Sequence, residues 1–139
     1  MILLKPETVS RDLVGEIISR IEKRGFSITS LKIVLVTRGQ AEELYVMHRG
    51  KPFYESLIEH ITSGPVVAMV VEGLDVVRVM RRMIGATNPC EADPGTIRRD
   101  YGLTITKNAI HAADSLENAE REIKIFFKLE ETISSKKPA

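Results

Sequence analysis

The chain has 139 residues, enough for one domain with a real core and too few for two. Its residues are 43% hydrophobic and 28% charged with a net charge of +1, the balance of an ordinary globular protein, which argues against gross electrostatic attraction to nucleic acid or anionic lipid. Cys90 is the single cysteine and cannot form an intramolecular disulfide, and no apolar run nears the roughly 20 residues needed to span a membrane, so a reducing cytoplasmic setting is expected.

The opening Ile2 to Leu4 reads as a short strand stopped by Lys5-Pro6, with too little apolar length for a signal segment. A helix follows, with Val14, Ile17, Ile18 and Ile21 at helical spacing and Gly25 at its end. Phe26 to Val36 is rich in β-branched residues and predicts a second strand. From Gly39 a helical stretch carries Ala41, Leu44, Tyr45 and His48; a second, opened by Pro52, carries Phe53, Leu57, Ile58 and Ile61, so the two form a helical hairpin. The run from Pro65 to Val71 is apolar at nearly every position, as a strand buried on both faces requires. Asp75 starts a helix with Val76, Val77, Met80, Met83 and Ile84 on one side, ended by Gly85.

Residues 86–100 contain Asn88-Pro89 and Asp93-Pro94-Gly95, turn chemistry that predicts a long loop, and loops of this length in a small domain tend to bind something. A strand is expected from Leu103 to Ile110, delivering His111 just ahead of a helix that starts at Asp114 or Ser115 and carries Leu116, Ala119, Ile123, Phe126 and Phe127, with Asp114 and Glu117 spaced as a capping box. Residues 134–139 read as a frayed tail, and the whole chain as a single domain. The element order predicts an α+β fold, close to a ferredoxin-like βαββαβ antiparallel sheet with an inserted helical hairpin.

The residue with most chemical promise is His111, in Asn108-Ala-Ile-His111-Ala-Ala-Asp114-Ser115, because a histidine where a strand gives way to a helix can present its imidazole to a ligand. A satisfied structural histidine has the same local pattern. Glu122, eleven residues on, could accept a hydrogen bond from one ring nitrogen and leave the other free to attack, or simply pair with neighbouring surface cations. Neither a Gly-x-x-x-x-Gly-Lys loop nor a Gly-x-Gly-x-x-Gly turn occurs, so a phosphate ligand would be held by side chains. Lys5, Arg81, Arg98 and Arg99 are the cationic candidates, with Thr87 or Asn88 as neutral donors. His48, His60 and His111 lie far apart without cysteine partners, which argues against a protein-held metal, and a Ser-His-Asp hydrolase lacks its Gly-x-Ser-x-Gly elbow. Tyr45 and Phe53 read as packing residues more readily than as a platform for a base.

Taken together, Asn108-Ala-Ile-His111 with Asp114-Ser115, Thr87-Asn88-Pro89 and Pro94-Gly95-Thr96-Ile97-Arg98 resemble nucleoside diphosphate kinase. The likeness runs from Leu3-Leu4-Lys5-Pro6 through Leu13 to Ile18, Lys51-Pro52-Phe53, Ser63 to Val70 and Glu72-Gly73 to Ala119-Glu120-Arg121-Glu122-Ile123. It implies ping-pong transfer of the γ-phosphoryl group of a nucleoside triphosphate to a nucleoside diphosphate through phosphohistidine at His111, with broad base specificity, maintaining nucleoside triphosphate pools. By the same resemblance Glu122 orients His111, and Lys5 and Tyr45 act near the transferring group. Arg81, Thr87 and Arg98 hold the remaining phosphates with Mg²⁺, which the phosphates chiefly carry and Asp114 could reach through water. Lys5 and Asn108 contact the sugar hydroxyls, Phe53 and Ile105 sandwich the base, and Leu57 lies nearby.

The chain departs from the family pattern at Ala113, where a serine is usual, at Ala112 for a common glycine, at Glu7-Thr8 for Asp-Gly, and at Arg99 for glycine. The resemblance further implies a homo-oligomer, a hexamer with a tetramer as the alternative, whose contacts include the loop from Gly85 to Ile105, and neither membrane nor stable nucleic-acid binding. Two rival readings are a regulatory relative that keeps the nucleotide pocket with weakened catalysis, and an RNA-recognition sheet of similar topology. The second should show aromatics on its central strands, and Val66 to Val71 has none.

Overall fold

The computed structural model of the protein describes residues 1–133. In chain order Ile2–Leu4 forms β1, Pro6–Ser10 α1, Val14–Lys23 α2, Ser27–Val34 β2, Arg38–Leu44 α3, Tyr54–Ile61 α4 and Val66–Glu72 β3. Val76–Ile84 then forms α5, Ile97–Tyr101 α6, Ile110–Ala112 β4 and Leu116–Phe126 α7, with short 3₁₀ turns at Val46–His48 and Leu129–Glu131. The strands make one antiparallel sheet in the order β2-β3-β1-β4, the ferredoxin-like arrangement expected from the element order.

The two middle strands carry the core because their side chains alternate between the sheet's faces. Leu3, Val66, Ala68 and Val70 pack with Ala41, Leu44, Ile58, Ile61 and Phe126 from α3, α4 and α7. Ile2, Leu4, Val67, Met69 and Val71 pack with Ile17, Ile21, Met80, Ile84 and Ile97 from α2, α5 and α6. This two-sided burial explains why the segment Val66 to Val71 is apolar without interruption. One register detail decides the rest: Leu3 pairs with His111, so His111 projects onto the face covered by α3, α4 and α7, while Ile110 and Ala112 join the opposite core.

Several expectations need correction. The helix expected through Val14, Ile17, Ile18 and Ile21 is α2, but a short helix not anticipated, α1, precedes it: Pro6 sets its first turn, it stops at Ser10, and Asp12 takes a left-handed φ of 57° before α2 starts at Val14. The long loop contains a helix, α6, whose N-cap Thr96 accepts from the Arg99 N–H, a cap hidden among the turn residues before it. The strand expected over Leu103 to Ile110 exists only as Ile110–Ala112, so His111 lies within β4 and not after it. Residues 103–109 satisfy their backbone elsewhere: Leu103 N–H donates to the Lys107 carbonyl at 2.8 Å and Lys107 N–H to Thr104 Oγ1 at 3.0 Å. At the start of α7 the cap is Ser115, which accepts from the Asn118 N–H at 3.1 Å; the Asp114–Glu117 box does not form, and Asp114 instead accepts from the Asn118 amide at 2.6 Å. The frayed tail expected at 134–139 lies outside the described residues.

Gly85 closes α5 with φ 90°, and a Cβ there would stand 2.6 Å from Thr96 Oγ1, so neither the backbone angle nor the neighbouring loop leaves room for a side chain. Its carbonyl is free to accept from Arg98, which fastens the loop to the end of the helix.

Candidate active site

Three elements meet at the imidazole of His111. β4 supplies the ring, α7 returns across the same face with Glu122 on its buried side, and α3 ends at Tyr45. Glu122 is only 2% exposed, and its Oε1 is hydrogen-bonded to His111 Nε2. A carboxylate accepts, so the proton of the neutral ring sits on Nε2 and the lone pair is left on Nδ1. Glu122 Oε2 is buried with no hydrogen-bond partner. Tyr45 presents its ring edge-on to His111, with centroids 6.2 Å apart and planes at 89°. Burial first, then the negative Glu122 and Glu7, hold the Tyr45 phenol above its ordinary range, so it stays a neutral donor at working pH.

Cations surround this pair. Lys5 follows β1, is 4% exposed and donates from Nζ to the Thr106 carbonyl at 3.1 Å. Burial pushes its ammonium down to about 8; Arg98 adds to the fall and Glu7 opposes it. Arg98, on α6, donates to the carbonyls of Gly85 at 3.1 Å and Ile110 at 2.9 Å, while its Nε is buried without a partner. Burial, then Arg81, pushes Arg98 down to about 10, so it remains charged at neutral pH. Arg81 on α5 donates to the Ala112 carbonyl at 3.3 Å. Buried cations with unused donors are costly to maintain and suit a site that receives an anion.

All these groups line one cavity of about 460 Å³. The residues to which the resemblance gives a role all reach it: His111, Glu122, Lys5 and Tyr45; Arg81, Thr87 and Arg98; Phe53, Leu57, Ile105 and Asn108; and Asp114. Phe53 and Ile105 are 46% and 58% exposed, apolar surface left open for a flat partner. Asn108 donates from Nδ2 to the Thr87 carbonyl at 3.0 Å and keeps its buried Oδ1 unpartnered. Arg99 and Asn88 lie outside the cavity. The Arg99 guanidinium donates to the Cys90 carbonyl at 2.9 Å, and Asn88 Oδ1 accepts from the Cys90 N–H.

Met47, His48, Thr106 and Asn118 also line the cavity without having been singled out. His48 stands edge-on to Phe53 at 5.4 Å, and burial, then Lys51 and His111, keeps its imidazole below the ordinary range. Its spacing of three from Tyr45 was the available signal, as was the spacing of four between Asp114 and Asn118. Among the described residues no group of three or more His, Cys, Asp or Glu is placed to hold a metal. With Glu122 committed to His111, Asp114 is the other carboxylate on the cavity wall, held ionised chiefly by the Asn118 amide. A divalent cation would therefore be held mainly by oxygens that the ligand brings, and the donor set fits that role.

Comparison with known proteins agrees with this chemistry. The family model described as nucleoside diphosphate kinase matches residues 1–132. A nucleoside diphosphate kinase of Saccharolobus solfataricus is 59% identical over 126 residues, covering 91% of each chain. One of Carboxydothermus hydrogenoformans is 56% identical over 136 residues, covering 98% of this chain and 91% of the relative. Among solved structures, a halophilic nucleoside diphosphate kinase from Halobacterium salinarum in complex with CDP superposes with a TM-score of 0.94 at 40% identity, covering 99% of this chain and 91% of that one. The enzyme from Aquifex aeolicus gives 0.92 at 41% identity, covering 95% and 96%.

The tautomer is directly measurable. At pH 9, well above the ordinary histidine range of about 6.5, ¹⁵N NMR of ring-labelled protein should show His111 protonated at Nε2 and bare at Nδ1. Glu122→Gln, whose amide can donate to Nε2, should raise the opposite tautomer. A wild-type ring protonated at Nδ1 would contradict the assigned geometry.

Proposed function

The chain belongs to the nucleoside diphosphate kinase family and is a phosphotransferase, and we propose that it works by ping-pong exchange through a phosphohistidine at His111. The observation that carries this reading is the buried His111–Glu122 pair in the same cavity as Lys5, Arg81 and Arg98. In the first half-reaction the Nδ1 lone pair of His111 attacks the γ-phosphorus of a nucleoside triphosphate. The N–P bond forms as the bond to the β,γ-bridging oxygen breaks, and the diphosphate leaves with that electron pair. In the second, a terminal oxygen of another nucleoside diphosphate attacks the phosphorus and the electrons of the N–P bond return to Nδ1. Glu122 keeps Nε2 protonated throughout and stabilises the positive charge of the phosphorylated ring.

Arg81, Arg98 and Thr87 hold the phosphates, Lys5 and the Tyr45 hydroxyl serve the transferring group, and Lys5 and Asn108 Oδ1 meet the sugar hydroxyls. The base lies between Phe53 and Ile105 with Leu57 alongside. Stacking reads a π-face and little else, so base specificity is broad, which suits an enzyme that maintains triphosphate pools. The CDP in the Halobacterium salinarum structure supports a nucleotide as the occupant. The family needs a divalent cation, here Mg²⁺, which would neutralise phosphate oxygens when bound and would reach Asp114 through water. The collection of these groups in one cavity supports turnover over the rival reading of a weakened regulatory relative. Ala113 withholds the hydroxyl usual in the family, and the unpartnered Glu122 Oε2 is the acceptor that such a hydroxyl would serve.

The chain works as a single domain, in the cytoplasm, and no helix among the described residues is long and apolar enough to cross a membrane. Members of the family are typically oligomeric, and a hexamer is proposed here. β2 is an edge strand whose Leu31 and Ile33, with Leu35 just beyond, are more than half exposed, apolar surface suited to a second copy. The loop from Gly85 to Ile105 would add further contacts.

Protein mixed with ATP and Mg²⁺ should acquire an acid-labile phosphoryl group at His111 that leaves as GTP when GDP is added; His111→Ala should acquire none. Bound nucleotide without label would overturn the mechanism. Because the Lys5 ammonium is charged only below about 8, kcat/KM for ATP should fall as pH rises through that value while kcat, measured with phosphates bound, holds to higher pH. A kcat/KM flat to pH 9.5 would contradict the role of Lys5. Light scattering should give the mass of six subunits, and a mass of four would refute the hexamer.

A further inference from the structure

Two residues before His111 the backbone is strained. Ala109 has φ 77°, and the Ile110 N–H closes on the Asn108 carbonyl at 3.0 Å, a γ-turn of the rare left-handed kind built on a residue with a Cβ. Such conformations are costly and persist only where the surroundings over-determine them.

The surroundings here come from the start of α1. Glu7 Oε1 accepts the Ala109 N–H at 2.9 Å, and the Ala109 carbonyl accepts from the Lys5 N–H at 3.0 Å and from Thr8 Oγ1 at 2.8 Å. The second carboxylate oxygen of Glu7 is fixed in turn by His60 Nε2 on α4, at 2.6 Å. Glu7 is 8% exposed and does not line the cavity, so it touches no ligand there. Burial would raise its pKa, yet the hydrogen bonds from His60 and the Ala109 N–H outweigh that and keep it ionised. Both Glu7 and Thr8 stand where the family pattern has Asp-Gly, and glycine has no hydroxyl to offer the Ala109 carbonyl.

We propose that Glu7, held by His60, is a positioning residue for phosphoryl transfer: it locks the Asn108-Ala109-Ile110 turn and thereby aims Asn108 into the cavity and sets His111 in register on β4. The inference rests on His111 being the nucleophile. Glu7 acts through the acceptor oxygen it offers the peptide, which separates this role from the support its charge also gives the Lys5 ammonium.

The test is the single-turnover rate of His111 phosphorylation by ATP and Mg²⁺ at pH 7, with nucleotide affinity and thermal unfolding measured on the same samples. Glu7→Ala should slow the step by about 10- to 100-fold, the scale set by small misplacements of a reacting group, with a smaller loss of ATP affinity. Glu7→Gln keeps an acceptor for Ala109 without the charge, its amide donating to His60 Nε2 once that ring takes the opposite tautomer, and should recover most of the rate. A Glu7→Ala rate equal to wild type, or a Glu7→Gln rate as low as that of Glu7→Ala, would overturn the proposal. Should Glu7→Ala fail to fold, Thr8→Val removes one hydrogen bond from the carbonyl of the same residue, on the other side of the turn, and a slowing in the same direction is expected; an unchanged rate would overturn the proposal. Wild-type protein that forms no phosphohistidine would defeat the proposed function itself, whereas labelled wild type with indifferent variants defeats only the role of Glu7.

Discussion

A carboxylate can be buried beside an apolar core only if something compensates its charge, and Glu122 has one compensating hydrogen bond, from His111 Nε2. That bond ties β4 to the helix that follows it and fixes what the ring can do. With Nε2 occupied, Nδ1 is the atom left with a lone pair, whatever enters the cavity. The remaining architecture serves to make the bond. Pairing of His111 with Leu3 sends the ring to the helical-hairpin face, and the Ser115 cap starts α7 so that Glu122, Ala119 and Phe126 share its buried side. A slip of one residue in β4 would turn His111 into the opposite core.

The surrounding charge follows the same logic. The Lys5 ammonium and the Arg98 guanidinium are buried at a cost that lowers their pKa values, and the oxygens of a bound anion would reverse that cost. Their attachments are mostly to backbone carbonyls of Thr106, Gly85, Ile110 and, from Arg81, Ala112, so the cations are held in place without being neutralised by carboxylates. This is preorganisation: dipoles hold the charges still while leaving them available to phosphate. It also explains how a protein with a net charge of +1 can receive a polyanion.

Much of this was legible in the chain because the informative signals were local. The uninterrupted run at Val66 to Val71, the helical spacing of Val76 to Ile84 and the closing Gly85 are short-range patterns that the structure repeats, and the site residues came from short motifs whose members converge on one cavity. What was hidden depends on contacts distant in sequence or on side chains capturing the backbone. Leu103 and Ile105 alternate as strand residues do, yet Thr104 and Lys107 close a turn between them and both apolar side chains stay exposed. The left-handed Ala109 is maintained by Glu7, 102 residues away, a partnership no periodicity announces. The break between α1 and α2 sits at Asp12, whose positive φ has no marker in the sequence as clear as a glycine. His48 belonged to a helical stretch that looked like packing, and only the fold shows its edge against Phe53.

Selection of the attacking nitrogen by the Glu122 hydrogen bond is open to measurement. Its most direct test is the regiochemistry of the phosphorylated protein, read from the coupling of ³¹P to selectively ¹⁵N-labelled His111 after reaction with ATP and Mg²⁺. Phosphorus is expected on Nδ1, with Nε2 still protonated. Phosphorus on Nε2 would mean that the pair breaks or reverses during the reaction and that Glu122 does not select the attacking atom.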